Sequence, residues 1–580
     1  RQFSNPYDAE VAYMDDEVGR LLERMEELGL RENTWIVVVG DHGEALWAHD
    51  EPTHSIFIYD VTQRVPCFLI PPATYAGLSD DAVRGRVVED VVALRDLAPT
   101  MLNAVGLSSD LLPATGSSLL PLLAGAWDGP GVTYMESLAP YLDHGWCELR
   151  GVRTNEWTYI KAPRTELYDL RTDPYQLNNI ATEKPDVMTR LAAWCDHFIE
   201  TGTQDLAVQL PDDETLERLR SLGYIANPHQ SGASINEKDP KDFTGVLRRI
   251  SLAREAFQTQ RMEEARRQYE EALEIDPENT SVQRELGTTY QYLGDGEKAL
   301  ALFDKILNLY PDDWSTHLMR VQALSMTGAH EEAESALKVY LESAPDPEDG
   351  VDLYARLLAQ TGRLEEARTY LEEHGRESGS RAQDLETLAD IEWLAGNQER
   401  AYKLAGEVLA LDSLRVGAWS VIGEWYALRA NEAAEAGNLK EADRLLEEAR
   451  SRLERALSLD PSEPRAAFRM GWFAARNGDA RRALQLYELS LGRAPHQPEA
   501  HFNMGNLLQR MNRPAEALAH YDQAVELGME AVDLHVNRGV VLAMMQRRQE
   551  AAAAWRHALT LGPDPTTRQG IERNLQRLGY

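Results

Sequence analysis

The sequence predicts an α/β fold in its first part and an all-α solenoid in the rest. Three observations support this order. Short strand-like apolar runs alternate with helical patterns up to about residue 225. A polar segment rich in Gly, Pro and Ser follows at 226–245. Several residue types then recur at one fixed period. A chain of 580 residues is too long for one core, so we predict domains at 1–225 and 246–565 joined by a linker.

Composition and charge exclude some classes of partner. The net charge is -36, from 59 basic and 95 acidic residues, which argues against duplex nucleic acid or an anionic membrane as the main partner. No run of 18 apolar residues occurs, so no membrane span is predicted. Cys67, Cys147 and Cys195 are far apart and form no CxxC pair, so each is expected to be a free, packed thiol.

The α/β part begins with a helical pattern between Val11 and Met25 that stops at Gly29. Because the chain opens inside this pattern, without Met or a signal-peptide pattern, we expect it to be the remainder of a longer protein. A second helical pattern covers Asp90 to Val105. The predicted strands are Trp35–Val39, Pro66–Ile70, Val132–Met135, Leu149–Val152, Thr158–Ile160 and Leu167–Tyr168.

The second part repeats every 34 residues. The recurring residues are Pro277, Pro311 and Pro345; Ala265, Ala299, Ala333, Ala367 and Ala401; and Gly294, Gly328, Gly362 and Gly396. This period, with small residues at fixed sites and proline at the end of the unit, is the tetratricopeptide repeat (TPR) pattern. We predict nine repeats, one of them (416–463) with both helices two turns longer, and a capping helix at 566–580. Such arrays bind proteins or peptides on a concave face.

The candidate site is the stretch VVVGDHGEALWAHDEPTHSIFIYD, Val37 to Asp60. In a parallel α/β sheet, ligands bind beyond the carboxyl ends of the strands, where Asp41 and His42 would lie. Carboxylate and imidazole groups suit a divalent metal, and Gly40 and Gly43 would allow a tight backbone. The alternative is that Asp41 caps a following helix and His42 is merely exposed.

This stretch, continued by VTQRVPCFLIPP, resembles the sulfatases of the alkaline phosphatase superfamily. Residues Glu148–Ala181 resemble the small C-terminal antiparallel sheet of that fold. The resemblance implies that Asp41 and His42 are metal ligands, the ion being often calcium and sometimes manganese, magnesium or zinc. It implies that His54 contacts the ester oxygens and protonates the leaving group.

Four further residues receive weaker assignments. His49 is expected to order the loop, Glu44 to support a ligand or cap a helix, and Arg64 to form an ion pair behind the site. His144 either lines the substrate cleft or lies in an ordinary loop.

One departure from the family is large. Its members carry a nucleophile near the N-terminus in Cys-x-Pro-x-Arg, where the cysteine becomes formylglycine, or a Ser equivalent. They also carry an Asp-Asp metal-binding pair on the first strand. The sequence has neither motif: Asp15 and Asp16 lie in a predicted helix, and Cys67 has no arginine at the motif position after it. The resemblance therefore implies that the nucleophile is not in this chain.

We expect the full-length protein to be a metal-dependent hydrolase of sulfate esters, and this chain alone to be inactive. The alternatives are a phosphoester or phosphonate hydrolase, a phosphoryl transferase of the same superfamily, or a non-catalytic TPR scaffold with a degenerate sulfatase-like domain. The combination with a TPR array resembles a bacterial architecture. Because sulfatase-like proteins are often exported, a periplasmic or cell-surface location is expected.

Overall fold

The structure is a computed structural model in which the described residues are 6–72, 75, 85–109, 116–125, 129, 131–205, 238–259, 261–345, 347–374, 381–461, 463–494 and 497–579. The chain divides into two compact units, Arg1–Leu286 and Gly287–Tyr580. The predicted linker at 226–245 falls largely outside the described residues, and the predicted domain boundaries stay predictions.

Six described strands lie in the first unit, and each overlaps one of the predicted runs. They are β1 (Ile36–Val39), β2 (Cys67–Ile70), β3 (Val132–Ser137), β4 (Leu149–Thr154), β5 (Trp157–Lys161) and β6 (Glu166–Asp169). β1 pairs with β2, and the others form a sheet in the order β3-β4-β5-β6. The predicted small C-terminal antiparallel sheet is thereby confirmed.

The expectation of a parallel sheet at the candidate site is wrong for the described residues. β1 and β2 run antiparallel, with Ile36 opposite Ile70 and Val39 opposite Cys67. A short apolar run can form either kind of pair, because its pattern reports burial and not the direction of its neighbour. β2 also leaves Cys67 exposed, which corrects the expectation of a packed thiol there, whereas Cys147 and Cys195 are buried and free.

The helices of the first unit include two that belong to the predicted repeats. They are α1 (Pro6–Glu27), α2 (Asp60–Gln63), α3 (Leu97–Ala104), α4 (Leu120–Leu123), α5 (Ala139–His144), α6 (Pro185–Asp205), α7 (Thr244–Gln258) and α8 (Met262–Ile275). Short 3-10 turns occur at Arg31–Asn33, Ala48–Asp50, Leu94–Asp96 and Pro240–Phe243. Helix α6 covers one face of the four-stranded sheet, where Leu191 and Cys195 pack against Val152 and Leu167.

Residues 238–245, which the composition assigns to the linker, are folded. The carboxylate of Asp239 is buried and accepts a hydrogen bond from the backbone N–H of Arg164 at 2.9 Å. The indole of Trp146 is fully buried, stacks on Phe243 and donates to Asp276 Oδ2 at 2.8 Å. The first repeat is thus anchored to the sheet region within one compact unit.

The remaining helices begin with α9, which spans the end of the first unit and the start of the second. They are α9 (Thr280–Tyr292), α10 (Gly296–Leu309), α11 (Trp314–Met326), α12 (His330–Ser343), α13 (Glu348–Gln360), α14 (Leu364–His374), α15 (Arg381–Leu394), α16 (Gln398–Leu411), α17 (Val416–Glu435), α18 (Leu439–Leu459), α19 (Pro464–Arg476), α20 (Ala480–Arg493), α21 (Pro498–Arg510), α22 (Pro514–Glu526), α23 (Val532–Met544), α24 (Arg548–Thr560) and α25 (Pro565–Leu578). Among the described residues, α7 to α24 follow one another as nine helix pairs. The predicted all-α TPR array is confirmed.

The repeated residues have distinct packing roles. The repeated alanines are fully buried, and the repeated glycines have φ between +78° and +80°, which ends the first helix of each pair. A glycine on the first helix often faces a large ring sixteen residues later on the second. These pairs are Gly287 with Phe303, Gly471 with Tyr487, Gly505 with Tyr521 and Gly539 with Trp555.

Two features depart from the regular repeat. Helices α17 and α18 have 20 and 21 residues, whereas the other repeat helices have between 11 and 15. Helix α25 follows the last pair and buries Ile571. Within the described residues, no helix has the length and apolar content needed to cross a membrane.

Candidate functional site

The candidate residues lie in one loop, residues 40–59, which joins β1 to α2 and which we call the histidine loop. Gly43 fixes its start, because its N–H donates to Thr62 O at 2.8 Å and a Cβ there would lie 2.2 Å from Val61 O. Gly43 does not have a positive φ. It is therefore needed for the close approach to the backbone of α2.

The middle of the histidine loop has a strained backbone. The residues with positive φ are Leu46 (+48°), Trp47 (+73°), His49 (+55°), Asp50 (+60°) and Ser55 (+88°). Residues other than glycine rarely adopt positive φ, so the surrounding structure must hold the loop in this conformation. Backbone hydrogen bonds from Ala45 N to Thr53 O (2.7 Å) and from Trp47 N to Glu51 O (2.8 Å) close it.

Glu51 supports the loop from inside. Its side chain is buried and accepts hydrogen bonds from the N–H groups of Ile56 (2.7 Å) and Phe57 (3.3 Å). Burial raises the pKa of Glu51 to about 7, although these hydrogen bonds favour the charged form. Glu51 therefore fixes the turn just after His54.

The end of the loop is anchored to the small sheet. Tyr59 donates from its hydroxyl to Glu166 Oε2 at 2.8 Å, and Tyr168 donates to the same oxygen. Lys241 pairs with the other oxygen of Glu166 at 2.7 Å. Tyr59, Glu166 and Tyr168 are buried, and their hydrogen bonds fix the end of the loop relative to β6.

His49 links the strained part of the loop to this anchor. Its ring stacks on Tyr59 with centroids 3.7 Å apart, and its Nε2 lies 3.1 Å from Tyr175 O. Desolvation lowers the pKa of His49. Helix α7, the first helix of the predicted repeats, lies beside the Ala48–Asp50 turn. The contacts of His49 are thus those of a residue that holds the loop.

The three predicted catalytic and metal-binding residues are brought together. The rings of His42 and His54 are in contact, with centroids 3.8 Å apart. His42 Nε2 lies 3.8 Å from Asp41 Oδ2, and His54 Nδ1 lies 3.1 Å from Glu44 Oε2. The Asp41 carboxylate is 85% exposed, and the hydrogen bond from the His42 N–H lowers its pKa. One acidic and two imidazole side chains thus converge, with Glu44 behind His54.

The donor set fits a divalent metal as part of a ligand shell. His42 Nδ1 lies 2.9 Å from Gly43 O, so a proton on Nδ1 donated to this carbonyl leaves the Nε2 lone pair for a metal. Glu44 Oε1 is buried and has no hydrogen-bond partner among the described residues. Within the same part of the chain, no three-residue ligand cluster includes Asp41 and His42. The two residues fit as a partial ligand set.

Other predicted residues lie elsewhere. Asp15 and Asp16 lie in α1, as expected. The Arg64 side chain is exposed, and the described residues include no carboxylate in ion-pair distance of it, so the predicted ion pair is not formed there.

His144 lies neither in a cleft nor in a loop: it ends α5, is buried against Trp146 and lies 3.4 Å from the Asn279 amide. Burial lowers the pKa of His144 to about 4.

Two supporting residues, Glu51 and Glu166, are missed by sequence reasoning. Glu51 stands in a polar Asp-Glu-Pro context that is typical of exposed loop, and Glu166 in a strand with an apolar pattern. Glu51 is satisfied by N–H groups of its own strained loop, and Glu166 by the hydroxyl of Tyr59, which is far away in the sequence. A local sequence pattern reveals neither the fold of this loop nor the distant hydroxyl.

Comparison with known proteins identifies the class of each part. Residues 1–107, which include Asp41, His42 and His54, match the family model described as Sulfatase. Models described as Tetratricopeptide repeat match residues 256–319, 291–350, 428–498 and 498–530. The chain therefore combines a sulfatase-family segment with a TPR array.

Individual relatives are found for both parts. Arylsulfatase K of Bos taurus is 30% identical over 199 residues, which is 32% of this chain and 34% of that protein. The N-acetylglucosamine-6-O-sulfatase of Bacteroides thetaiotaomicron is 30% identical over 191 residues, 31% of this chain and 32% of that protein. The chain spans about a third of the length of these relatives. A TPR protein of known structure from Thermus thermophilus aligns over 34% of this chain and 99% of its own at 24% identity, with a TM-score of 0.28.

Proposed function

We propose that the whole protein is a metal-dependent hydrolase of sulfate esters whose TPR array binds a protein partner. The observation that carries this proposal is the convergence of Asp41, His42 and His54 within the segment that matches the Sulfatase model. Both imidazoles are bonded locally through Nδ1, so each has its Nε2 free for another task. Such an arrangement suits recognition of an anionic ester.

In this proposal Asp41 and His42 hold the divalent metal, with calcium first and manganese, magnesium or zinc as alternatives. The ion, when bound, would polarise the ester and stabilise negative charge on its oxygens. The sequence contains no motif for the remaining ligands or for a formylglycine nucleophile. The hydrolase activity proposed for the whole protein requires both.

Residues of this chain would orient the His54 ring and transfer a proton. The Glu44 carboxylate, 3.1 Å from His54 Nδ1, fixes the tautomer and orientation of the His54 ring. His54 Nε2 would contact an ester oxygen and deliver a proton to the leaving-group oxygen. Glu51 and the anchored Tyr59 would hold the loop in the required conformation. His54 would thus be a catalytic residue, and Glu44 a positioning residue.

The experiment compares the whole protein with His54→Ala and His54→Gln, using 4-nitrophenyl sulfate and 4-nitrophenyl phosphate. General acid catalysis is worth a factor of about 100 to 10,000, so we expect kcat to fall at least about 100-fold in both variants. His197→Ala, an exposed histidine on α6, is the control and should leave kcat unchanged. If the protein prefers the phosphate ester, its proposed activity would be phosphoester hydrolysis instead of sulfate ester hydrolysis.

A second measurement tests the metal. Elemental analysis of the purified protein should find a divalent ion, and His42→Ala should lower its content. If His42→Ala keeps the full metal content and His54→Ala keeps full turnover, the roles assigned to these two residues fail. If the whole protein hydrolyses neither ester, the hydrolase assignment fails, and the protein would be a TPR scaffold with a degenerate sulfatase-like part. A periplasmic or cell-surface location, proposed from the family, is tested by fractionation of the source cells.

A further inference from the structure

Near the end of the TPR array, two histidines and a glutamate meet. Glu530 lies in the connection before α23, His535 lies on α23 and His557 on α24. Glu530 Oε2 is 2.9 Å from His557 Nε2 and 3.3 Å from His535 Nε2. One donor atom from each of the three residues lies within 4.8 Å of the others. We call these three residues the C-terminal cluster. Among the described residues, it is the one such three-residue group.

The His535 side chain is buried without a hydrogen bond at its Nε2. It is only 5% exposed, and its buried Nε2 makes no hydrogen bond of acceptable geometry in spite of the nearby Glu530. A buried polar nitrogen without a hydrogen bond is unfavourable unless another group occupies its lone pair. His535 Nε2 points at the same place as His557 Nε2 and the Glu530 carboxylate.

The backbone under the cluster is held firmly. Trp555, two residues before His557, donates its indole N–H to Val536 O at 3.1 Å, next to His535. A Cβ at Gly539 would lie 2.3 Å from Trp555 Nε1, so α23 and α24 are in close contact here. The two imidazoles, with centroids 4.3 Å apart, are therefore fixed by packing and not by flexible loops.

We propose that the C-terminal cluster binds Zn²⁺ through His535 Nε2, His557 Nε2 and a Glu530 oxygen. Two imidazoles and a carboxylate form a common three-ligand set for zinc, with water in the fourth position. The partly exposed side chains of Glu530 and His557 leave room for that water.

The consequence of binding is a cross-link within the last repeat. The ion joins the connection before α23 to both helices of the pair α23 and α24. Since a ligand that binds only the folded state stabilises it, zinc should raise the unfolding temperature of the array. No step of the proposed hydrolysis involves this site, so its test is independent of catalysis.

The test is calorimetric titration of the whole chain with ZnCl2, in a His42→Ala background that removes the other candidate metal site. This protein should bind one equivalent of Zn²⁺, whereas the added substitutions His557→Ala and Glu530→Ala should each abolish or weaken binding at least tenfold. His374→Ala, an exposed histidine at the end of α14, is the matched control and should bind as the parent does.

Two further readouts distinguish a built site from surface binding. Co²⁺ should give a visible absorption spectrum of low-symmetry coordination that His557→Ala removes, and excess Ca²⁺ should not displace Zn²⁺. Equal binding by the parent, His557→Ala and Glu530→Ala would overturn the proposal. So would loss of binding in His374→Ala alone, or a Zn²⁺-induced rise in unfolding temperature that persists in His557→Ala.

Discussion

The buried carboxyl of Glu51 makes the stability of the histidine loop depend on pH. Its pKa rises from an ordinary value of 4.5 to about 7 on folding, because burial penalises the charged form. The folded state therefore binds the proton more tightly than the unfolded state. Stability falls as the pH rises from 4.5 to 7, and the full penalty is present above pH 7.

The magnitude follows from the two pKa values. A difference of this size corresponds to about 3 kcal/mol in full, of which about 2.5 kcal/mol develops between pH 5 and pH 8. The substitution Glu51→Gln keeps an acceptor oxygen for the N–H groups of Ile56 and Phe57 and removes the titration. The loop of this variant should lose none of that stability over the same pH range.

Hydrogen exchange measured by mass spectrometry can follow this loop separately from the rest of the chain. After correction for intrinsic exchange rates, protection of peptides covering residues 51–59 should fall by a factor of about 70 between pH 5 and pH 8 in the natural sequence. It should stay nearly constant in Glu51→Gln. Glu23→Gln, at an exposed position of α1, should behave as the natural sequence does. The same pH dependence in Glu51→Gln would refute the reasoning.

Two further sets of substitutions test packing and charge. Gly539→Ala should lower the free energy of unfolding by about 2 kcal/mol or more in denaturant titration, because the new Cβ would meet Trp555, whereas Gly570→Ala, in open space on α25, should raise it by up to about 1 kcal/mol. Arg153→Met should destabilise the first unit by about 2 kcal/mol in the same assay, since it leaves Asp60 without two hydrogen bonds of 2.8 Å, and adding Asp60→Asn should recover part of the loss. Equal effects of the two glycine substitutions, or no recovery in the double variant, would contradict these expectations.

Strands and repeats could be predicted because their signals are local. The apolar run before Gly40 becomes β1. The repeated alanines become buried positions, and the repeated glycines end the first helix of each pair. The direction of strand pairing could not be predicted, because it depends on β2, which begins only at Cys67, beyond the histidine loop and α2. Local patterns carry the periodicity of a strand but not the identity of its partner.

Candidate site residues follow the same division. The Asp41-His42 pair and His54 are visible because they follow a strand in a short, familiar order. Glu51 is not visible because its role depends on burial inside a folded loop. The C-terminal cluster is not visible because its histidines meet across two helices. His535 and His557 stand on different helices of the last pair, and in a TPR array two such positions have the pattern of ordinary helix faces.

Contacts, and not composition, also determine where the first compact unit ends. A change from mixed to repetitive sequence near residue 226 suggests that the sulfatase-like part ends there, yet the compact unit extends to Leu286. The reason lies in Trp146: its indole is fully buried, stacks on Phe243 and donates to Asp276, the residue that follows α8. Helix α7 also lies beside the Ala48–Asp50 turn of the histidine loop. The first repeat is thus part of the structural support of the histidine loop.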